Sequence, residues 1–152
     1  SEQCNIIFTC VGDDKNLKEI YLSKNGIFNN FYNNLFLIDH TTCSREISVE
    51  IFSKFKKKKC FFFDAPVSRG EVGAQNGQLS IMIGGEKKKF HKVTPFLKQY
   101  AKKISFIGKS GSGQVAKMCN QICIAGLIQG LSEGLNFAKK NNLEFEALIQ
   151  AI

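Results

Sequence analysis

The chain has 152 residues, enough for one domain with a hydrophobic core, and its hydrophobic fraction of 43% and charged fraction of 22% are ordinary for a globular protein. Its apolar runs are far shorter than the ~20 residues that a membrane-spanning helix needs. The first residues also lack the basic and then apolar order of a signal peptide. We therefore predict a folded cytoplasmic protein that does not associate with membranes.

The formal net charge of +8 raises the question of a nucleic-acid partner. Only Arg45 and Arg69 are arginines, and the densest lysine run, residues 54–59, falls where a helix is predicted to end. Lysines stabilise that end of a helix dipole. We therefore interpret the charge as a solvated surface and predict no nucleic-acid partner.

Six cysteines are scattered along the chain without a C-x-x-C spacing. In strands and helices of a domain of this size, reduced cysteines pack as small apolar residues. We therefore predict core thiols and no metal site.

Short apolar runs alternate with segments of helical spacing, which is the rhythm of βαβ units. The predicted strands are Ile6–Val11, Leu35–Ile38, Cys60–Phe63, Leu79–Ile83 and Ile104–Ile107. Helices are predicted between Thr42 and Lys58, with Ser44 as N-cap, and between Glu86 and Lys103. The fold class is therefore α/β, with helices covering a mostly parallel sheet.

A long helix is predicted from about Gln114 to Lys140, because this stretch contains no proline and its apolar residues wrap most of the circumference. Such a helix is either buried centrally or joins two domains. Asn141-Asn142 ends it, and another helix begins between Leu143 and Ile152. We divide the chain into a domain at 1–113, an interdomain helix at 114–140 and the start of a helical domain at 141–152.

Two glycine-rich segments carry the candidate chemistry. The segment 63–85 follows a buried strand that ends at Asp64, and its glycines leave a backbone bare enough to approach a small anion. The segment 108–121 opens the long helix and brings Lys117 and Asn120 onto one face. Neither a G-x-G-x-x-G fingerprint after a strand nor a P-loop is present. On spacing alone, a lysine in such a helix is usually just solvated.

Four blocks of this sequence resemble the β-hydroxyacid dehydrogenases, the family of 3-hydroxyisobutyrate dehydrogenase and tartronate semialdehyde reductase (2-hydroxy-3-oxopropionate reductase). Two are similar to its late Rossmann strand and its D-x-S-T segment: Ile6-Ile-Phe-Thr-Cys-Val-Gly-Asp-Asp and Asp39-His-Thr-Thr. The others match its D-A-P-V-S-G-G block and its catalytic helix: Asp64-Ala-Pro-Val-Ser-Arg-Gly through Met82-Ile-Gly-Gly, and Gly108-x-x-Gly-x-Gly-Gln-x-x-Lys-x-x-Asn-Gln. The blocks occur in family order over nearly the whole chain.

The resemblance implies the C-terminal part of a Rossmann-type domain that binds NAD or NADP, followed by an interdomain helix and the start of an all-α domain. It also implies hydride transfer between the nicotinamide and a small hydroxyacid or semialdehyde substrate. The family's cofactor fingerprint would precede Ser1 and its dimerising helical domain would follow Ile152. We therefore expect a fragment that is inactive alone, from a protein that forms homo-oligomers.

The same resemblance assigns the site. Lys117 would be the acid and base, and Asn120 would hold the substrate or Lys117, with Gln121 as the neighbouring amide. The remaining assignments are to the substrate (Ser68, Arg69, Gly70, Asn120, Gln121) and to the cofactor (Cys10, Val11, Gly12, Thr41, Thr42). Asp64 and the two histidines, His40 and His91, are expected to have ordinary polar roles, with Asp64 forming a turn.

Two departures and two alternatives remain open. Arg69 stands where the family has glycine, and it could bind a carboxylate bidentately or turn to solvent; Thr41 replaces the commoner serine. A 6-phosphogluconate-dehydrogenase-like enzyme would share the lysine but would need a phosphate-binding cluster. A non-catalytic basic module on the same fold would be recognised by salt-dependent binding to DNA or heparin.

Overall fold

In the computed structural model, which describes residues 4–30 and 34–151, strands and helices alternate as the sequence predicts. The strands are β1 (Ile6–Thr9), β2 (Phe36–Asp39), β3 (Phe61–Asp64), β4 (Val67–Ser68), β5 (Leu79–Gly84) and β6 (Ala101–Gly108). The helices are α1 (Asp14–Leu22), α2 (Ile27–Asn30), α3 (Arg45–Lys57), α4 (Gly70–Gln75), α5 (Lys87–Leu97), α6 (Ser112–Lys140) and α7 (Phe145–Ala151). The α/β class is confirmed.

The strands form one mixed sheet in which β1, β2 and β3 are parallel neighbours. Strand β5 runs antiparallel to β3 and β4, and β6 pairs parallel to β5. Because the direction reverses at β5, the last two strands oppose the first three, a detail that the apolar runs do not predict. Parallel pairs still predominate, and the carboxyl ends of β1, β2 and β3 lie at one edge of the sheet.

Successive side chains along β2 and β3 point to opposite faces of the sheet, so the hydrophobic core lies on both faces. Leu37 and Phe62 pack on one face with α1 and α3. Ile38 and Phe63 pack on the other face with α5. The covering helix α3 begins after Ser44, whose Oγ accepts the Ile47 N–H at 3.3 Å, so the predicted N-cap is confirmed.

The chain divides into two compact units, Ser1–Lys117 and Met118–Ile152. The first unit contains the sheet, and the second contains most of α6 together with α7. The predicted break at Asn141-Asn142 is confirmed because α6 ends at Lys140. No helix in residues 4–30 or 34–151 is long and apolar enough to cross a membrane.

The predicted helix at 86–103 is too long at its C-terminal end. Helix α5 ends at Leu97, and β6 begins at Ala101. Tyr100 continues the apolar helical spacing, but pairing with β5 draws the chain into the sheet, with Ser80 opposite Lys103. Lysines on an exposed strand mask the strand pattern, and they also protect its edge from further pairing.

The prediction of six core cysteines is wrong for four of them. Cys43 and Cys60 are buried, whereas four are exposed: Cys4, Cys10, Cys119 and Cys123. Cys4 and Cys10 lie just outside β1, and Cys119 and Cys123 lie on α6 in the second unit. Their positions in loops and on an exposed helix, rather than in central strands, explain the difference.

Candidate active site

The predicted cofactor residues lie in two loops at the carboxyl edge of the parallel strands. Thr9, Asp39 and Asp64 end β1, β2 and β3 and stand in register across the sheet. The loop at residues 10–12 follows β1, and the loop at residues 40–43 follows β2. Because ligands of open parallel sheets bind beyond the carboxyl ends of the strands, this edge is where a cofactor would be held.

The two loops are joined by the hydroxyl group of Thr41. The Val11 N–H donates to Thr41 Oγ1 at 2.9 Å, and Thr41 Oγ1 donates to Asp39 Oδ1 at 2.8 Å. The Thr41 side chain is buried, whereas Thr42 is exposed. Thr41 therefore fixes the loops to each other, and Thr42 faces outward, where a ligand could contact it.

Asp39 is the buried centre of this connection, and the sequence analysis assigned it no separate role. Its Oδ1 also accepts the Thr9 hydroxyl at 2.8 Å, and that hydroxyl lies 2.7 Å from the Tyr21 hydroxyl. Burial raises the pKa of Asp39 to about 6. Burial, followed by the charge of Asp39, also raises the pKa of Tyr21. The network ties β1, α1 and β2 together directly behind the two loops.

The start of α6 is bound to the end of β3 through Asp64. The Gly111 N–H donates to Asp64 Oδ1 at 2.7 Å, and the Gln114 N–H donates to Oδ2 at 3.2 Å. A carboxylate that accepts N–H groups at a helix N-terminus stabilises that helix. Burial nevertheless raises the pKa of Asp64, and these backbone hydrogen bonds oppose the rise. The turn role expected for Asp64 is therefore wrong, because its partners lie far along the chain.

Lys117, the predicted acid and base, lies in the second turn of this bound helix. It is half-buried, and it is the last residue of the first unit. Asn120 and Gln121 follow on the same helix in the second unit, where Asn120 Nδ2 donates to Gln121 Oε1 at 3.3 Å. Lys117 and Asn120 keep the three-residue helical spacing that the sequence predicts.

The loop predicted to bind the substrate, residues 68–70, contains two adjacent residues with left-handed backbone conformations. Arg69 has φ +94° and Gly70 has φ +61°. A non-glycine residue is disfavoured at such an angle, so the glycine that the family has in place of Arg69 suits this backbone better. The Arg69 side chain is exposed, and its Nη1 donates to the Gln78 carbonyl at 3.3 Å. Ser68 lies just before it on β4, opposite Ser80 of β5.

His40 has the ordinary polar role that the sequence predicts. Its Nδ1 lies 2.6 Å from the Ala65 carbonyl oxygen, and its Nε2 lies 2.7 Å from the Tyr100 hydroxyl. Because a carbonyl oxygen only accepts, Nδ1 carries the proton, and the neutral Nε2 accepts from Tyr100. Burial lowers the pKa of His40, which favours this neutral form.

The residues at the carboxyl edge fit a nicotinamide cofactor. Cys10, Gly12 and Thr42 are exposed there. A Cβ added to Gly12 would meet only the end of the exposed Asn16 side chain, with Oδ1 at 2.9 Å, so glycine leaves the β1–α1 turn open without being strictly required there. A bare turn beside outward-facing hydroxyl and thiol groups allows the close approach that a bound cofactor needs.

Comparison with protein families and curated relatives agrees with this geometry. Residues 1–108 match the model for the NAD binding domain of 6-phosphogluconate dehydrogenase, and residues 111–152 match the model for the NAD-binding region of NADP-dependent 3-hydroxyisobutyrate dehydrogenase. An uncharacterized oxidoreductase of Shewanella frigidimarina is 43% identical over 97% of this chain and 51% of its own length. The 2-hydroxy-3-oxopropionate reductase of Escherichia coli is 33% identical over 100% of this chain and 52% of its own length. The chain thus spans about half the length of these relatives.

A solved structure gives the same result. The 3-hydroxyisobutyrate dehydrogenase of Mycobacterium tuberculosis, determined with L-serine, superimposes with a TM-score of 0.92 at 26% identity, over 99% of this chain and 51% of that one. These matches agree with the loops at the carboxyl ends of the parallel strands and with the glycines at the start of α6. The chain therefore belongs to the β-hydroxyacid dehydrogenase family, which includes 3-hydroxyisobutyrate dehydrogenase and 2-hydroxy-3-oxopropionate reductase.

Proposed function

We propose that the protein containing this chain is an NAD- or NADP-dependent oxidoreductase that interconverts a small β-hydroxyacid and its semialdehyde. The proposal rests on Lys117, which lies on a helix whose start is bound to Asp64 at the carboxyl edge of the sheet. Relatives named for 3-hydroxyisobutyrate dehydrogenase and 2-hydroxy-3-oxopropionate reductase support this substrate class.

Lys117 performs the proton transfer. Held by the loops at residues 10–12 and 40–43, a nicotinamide cofactor would supply the hydride chemistry of this reaction. In reduction the Lys117 ammonium donates a proton to the carbonyl oxygen, giving the alcohol; in oxidation the neutral amine takes the hydroxyl proton. Lys117 is half-buried, so part of its surface remains accessible to a bound substrate.

The substrate carboxylate contacts the loop at residues 68–70. Ser68 offers a hydroxyl group, and Gly70, with φ +61° and no atom near its missing Cβ, offers a bare backbone N–H. Arg69 directs Nη1 at the Gln78 carbonyl, so binding a carboxylate through two N–H groups requires that contact to open. The family resemblance also assigns Asn120 and Gln121 to the substrate.

The cofactor contacts the carboxyl edge of the sheet. Cys10, Val11 and Gly12 form one wall after β1, and Thr42 forms the other after β2. Thr41 contributes by holding Val11 through its hydroxyl group.

The test is steady-state turnover of the full-length protein with NADH, NADPH and a panel of semialdehydes. Lys117→Ala removes the proton donor and is expected to lower kcat by about 10²-fold or more, with little change in cofactor affinity. Lys117→Arg keeps the charge but cannot accept a proton, so it is expected to be impaired as well. The matched control is Lys92→Ala, which removes an exposed lysine of α5.

The outcome separates the alternatives. Equal activity of Lys117→Ala and Lys92→Ala would contradict the assigned role of Lys117. Turnover of phosphorylated sugar acids but not of semialdehydes would favour the 6-phosphogluconate dehydrogenase class. Absence of turnover with every substrate, together with salt-dependent binding to DNA, would favour a non-catalytic basic module.

A further inference from the structure

The carboxamide of Gln114 makes two hydrogen bonds to one short segment of backbone. Its Nε2 donates to the Thr41 carbonyl at 2.7 Å, and its Oε1 accepts the Cys43 N–H at 3.2 Å. The side chain is fully buried, so water does not compete for either bond. Gln114 spans 73 and 71 residues of sequence to reach these two partners.

The two partners flank Thr42 on either side. The carbonyl before Thr42 and the N–H after it are bound by one planar group, in the way that a neighbouring strand would bind them. A carboxamide provides a donor and an acceptor at adjacent atoms, whereas a carboxylate provides acceptors only. We call this pair of bonds the Gln114 clamp.

The Gln114 clamp leaves the side chain of Thr42 facing outward. Thr41 and Cys43 are buried, and Thr42 between them is exposed. Thr42 is also the hydroxyl residue that lies at the edge proposed for the cofactor. The clamp therefore determines how that residue is presented.

Gln114 is at the same time part of the helix that carries Lys117. Its own N–H donates to Asp64 Oδ2, and Lys117 follows three residues later, one turn along α6. All of these residues belong to the first compact unit. A single side chain thus fixes the segment around Thr42 relative to the helical turn that carries the lysine.

We propose that Gln114 is a positioning residue for this reaction: through the clamp it sets the separation between Thr42, on the cofactor side, and Lys117, on the substrate side. The inference rests on the proposed oxidoreductase function. Proton and hydride transfer need both groups in place at once, and a small displacement of either lowers the rate steeply.

Two variants test the bonds of the clamp, one by removing both and one by changing only the bond to the Thr41 carbonyl. Gln114→Met keeps the length of the side chain and removes both bonds. Gln114→Glu keeps the acceptor for Cys43 but directs a carboxylate oxygen at the Thr41 carbonyl. Protonation of that Glu restores a donor, so its defect is expected to diminish as the pH is lowered. The neighbouring titratable groups, Asp39, Cys43 and Asp64, are common to the variant and the wild type.

The control is Phe55→Leu, which loosens the core under α3 and makes none of the clamp's bonds. The first measurement is amide hydrogen exchange at Cys43 in the cofactor-free full-length protein. We expect a lower protection factor for the Cys43 N–H in Gln114→Met and an unchanged one in Phe55→Leu. In Gln114→Glu, which keeps the acceptor, we expect a lower factor only while the carboxylate repels the Thr41 carbonyl, and a wild-type factor once that Glu is protonated. This measurement tests the clamp even if the protein has no dehydrogenase activity.

The second measurement is NADH and NADPH affinity together with turnover. Gln114→Met is expected to lower kcat by about ten-fold or more, while Phe55→Leu at matched loss of stability stays within about two-fold of wild type. The proposal is overturned if Cys43 exchange is unchanged in Gln114→Met. It is equally overturned if exchange accelerates while cofactor affinity and turnover remain those of Phe55→Leu.

Discussion

At the scale of single residues, Asp39 has two carboxyl oxygens in unlike surroundings. Oδ1 accepts hydrogen bonds from Thr9 and Thr41. Oδ2 is buried and has no hydrogen-bond partner among residues 4–30 and 34–151. An unpaired buried oxygen is costly when it is charged, and burial accordingly raises the pKa of Asp39 to about 6. The Asp39 carboxyl group therefore binds a proton more tightly in the native protein than in the unfolded chain.

The sign of the resulting pH dependence follows from linkage. Below about pH 4 Asp39 is protonated in both states, so it costs no stability. As the pH rises from about 4 through about 6, the unfolded chain ionises first and native stability falls, by up to about 3 kcal/mol. Above about pH 6 this loss of stability no longer changes with pH.

Asp39→Asn is therefore expected to remove this loss. The amide oxygen can still accept from Thr9 and Thr41, and the side chain stays neutral at every pH. Urea unfolding at several values between pH 4.5 and 7.5 should show the variant gaining stability relative to wild type as the pH rises. Glu71→Gln, on the exposed surface of α4, is the control. Parallel profiles for wild type and Asp39→Asn would contradict the prediction.

At this scale, the sequence predicts the role of a residue only where the residue lies in a recognisable motif. It pointed to the loop at residues 40–42 and to the turn with Lys117 because both lie in blocks that resemble the family, whereas spacing alone assigned neither of them a role. It could not show that Thr41 points inward, that Asp64 binds the start of α6 or that Arg69 has φ +94°. Each of these properties depends on a partner or a backbone angle that distant residues impose.

At the scale of elements, the start of α6 is defined by close contact with the sheet. A Cβ added to Gly113 would lie 2.6 Å from the carbonyl oxygens of Asp64 and Met82, which are backbone atoms that cannot move aside cheaply. A Cβ added to Gly84 would lie 2.7 Å from an Asp64 carboxyl oxygen and 2.9 Å from the backbone nitrogen of Gly113. The helix can approach Asp64 only because these positions lack side chains.

Gly113→Ala is expected to lower the free energy of unfolding by roughly 1–3 kcal/mol, as overpacking against a rigid neighbour does. Gly130→Ala, later in the same helix, meets no atom within 4 Å and should instead raise stability by up to about 1 kcal/mol through helix propensity. Chemical denaturation of both variants measures the difference. Similar effects of the two substitutions would show that α6 does not seat closely on the sheet.

Helix prediction succeeded where the pattern is amphipathic and the cap is explicit, as in α3 after Ser44. It missed α1, whose residues are mainly charged or polar and whose buried side chains are only Leu17 and Tyr21. It also missed the short α4, which contains two glycines. Only α4 has too few apolar residues for periodicity to reveal it, since Leu17, Ile20 and Tyr21 of α1 keep helical spacing after the N-cap Asp13 and could have been recognised.

At the scale of the whole molecule, the second unit by itself exposes large apolar side chains on α6. Leu127 is 73% exposed, Ile128 60% and Leu131 54%. Contiguous exposed apolar surface of this kind promotes association. We therefore expect this 152-residue chain, prepared alone, to self-associate as its concentration is raised.

Light scattering over a range of concentrations tests this expectation. Leu127→Lys combined with Leu131→Lys should raise the monomer fraction. Phe96→Lys, at an isolated exposed position on α5, should not. A chain that stays monomeric at high concentration would contradict the prediction, and so would an equal effect of the two sets of substitutions.

The overall βαβ order was predictable because strand runs and helical spacing are local properties of the sequence. The family followed from motifs that cover nearly the whole chain. The reversal of β5 was not predictable, since it depends on how the chain turns after Pro66 and pairs with β3 and β4. Long-range pairing of this kind leaves no periodic signal.

The hydrogen bonds between Asp64 and the start of α6 also have a consequence for how the chain folds. Their partners are separated by 47 and 50 residues, and β5, α5 and β6 lie between them. Closing a loop of this length costs conformational entropy, so a contact between such distant residues does not form from local interactions alone. The helix can form its internal hydrogen bonds from local residues alone, but the turn that carries Lys117 is fixed to the sheet through these distant partners. A helix formed without these bonds would thus leave the position of Lys117 undetermined.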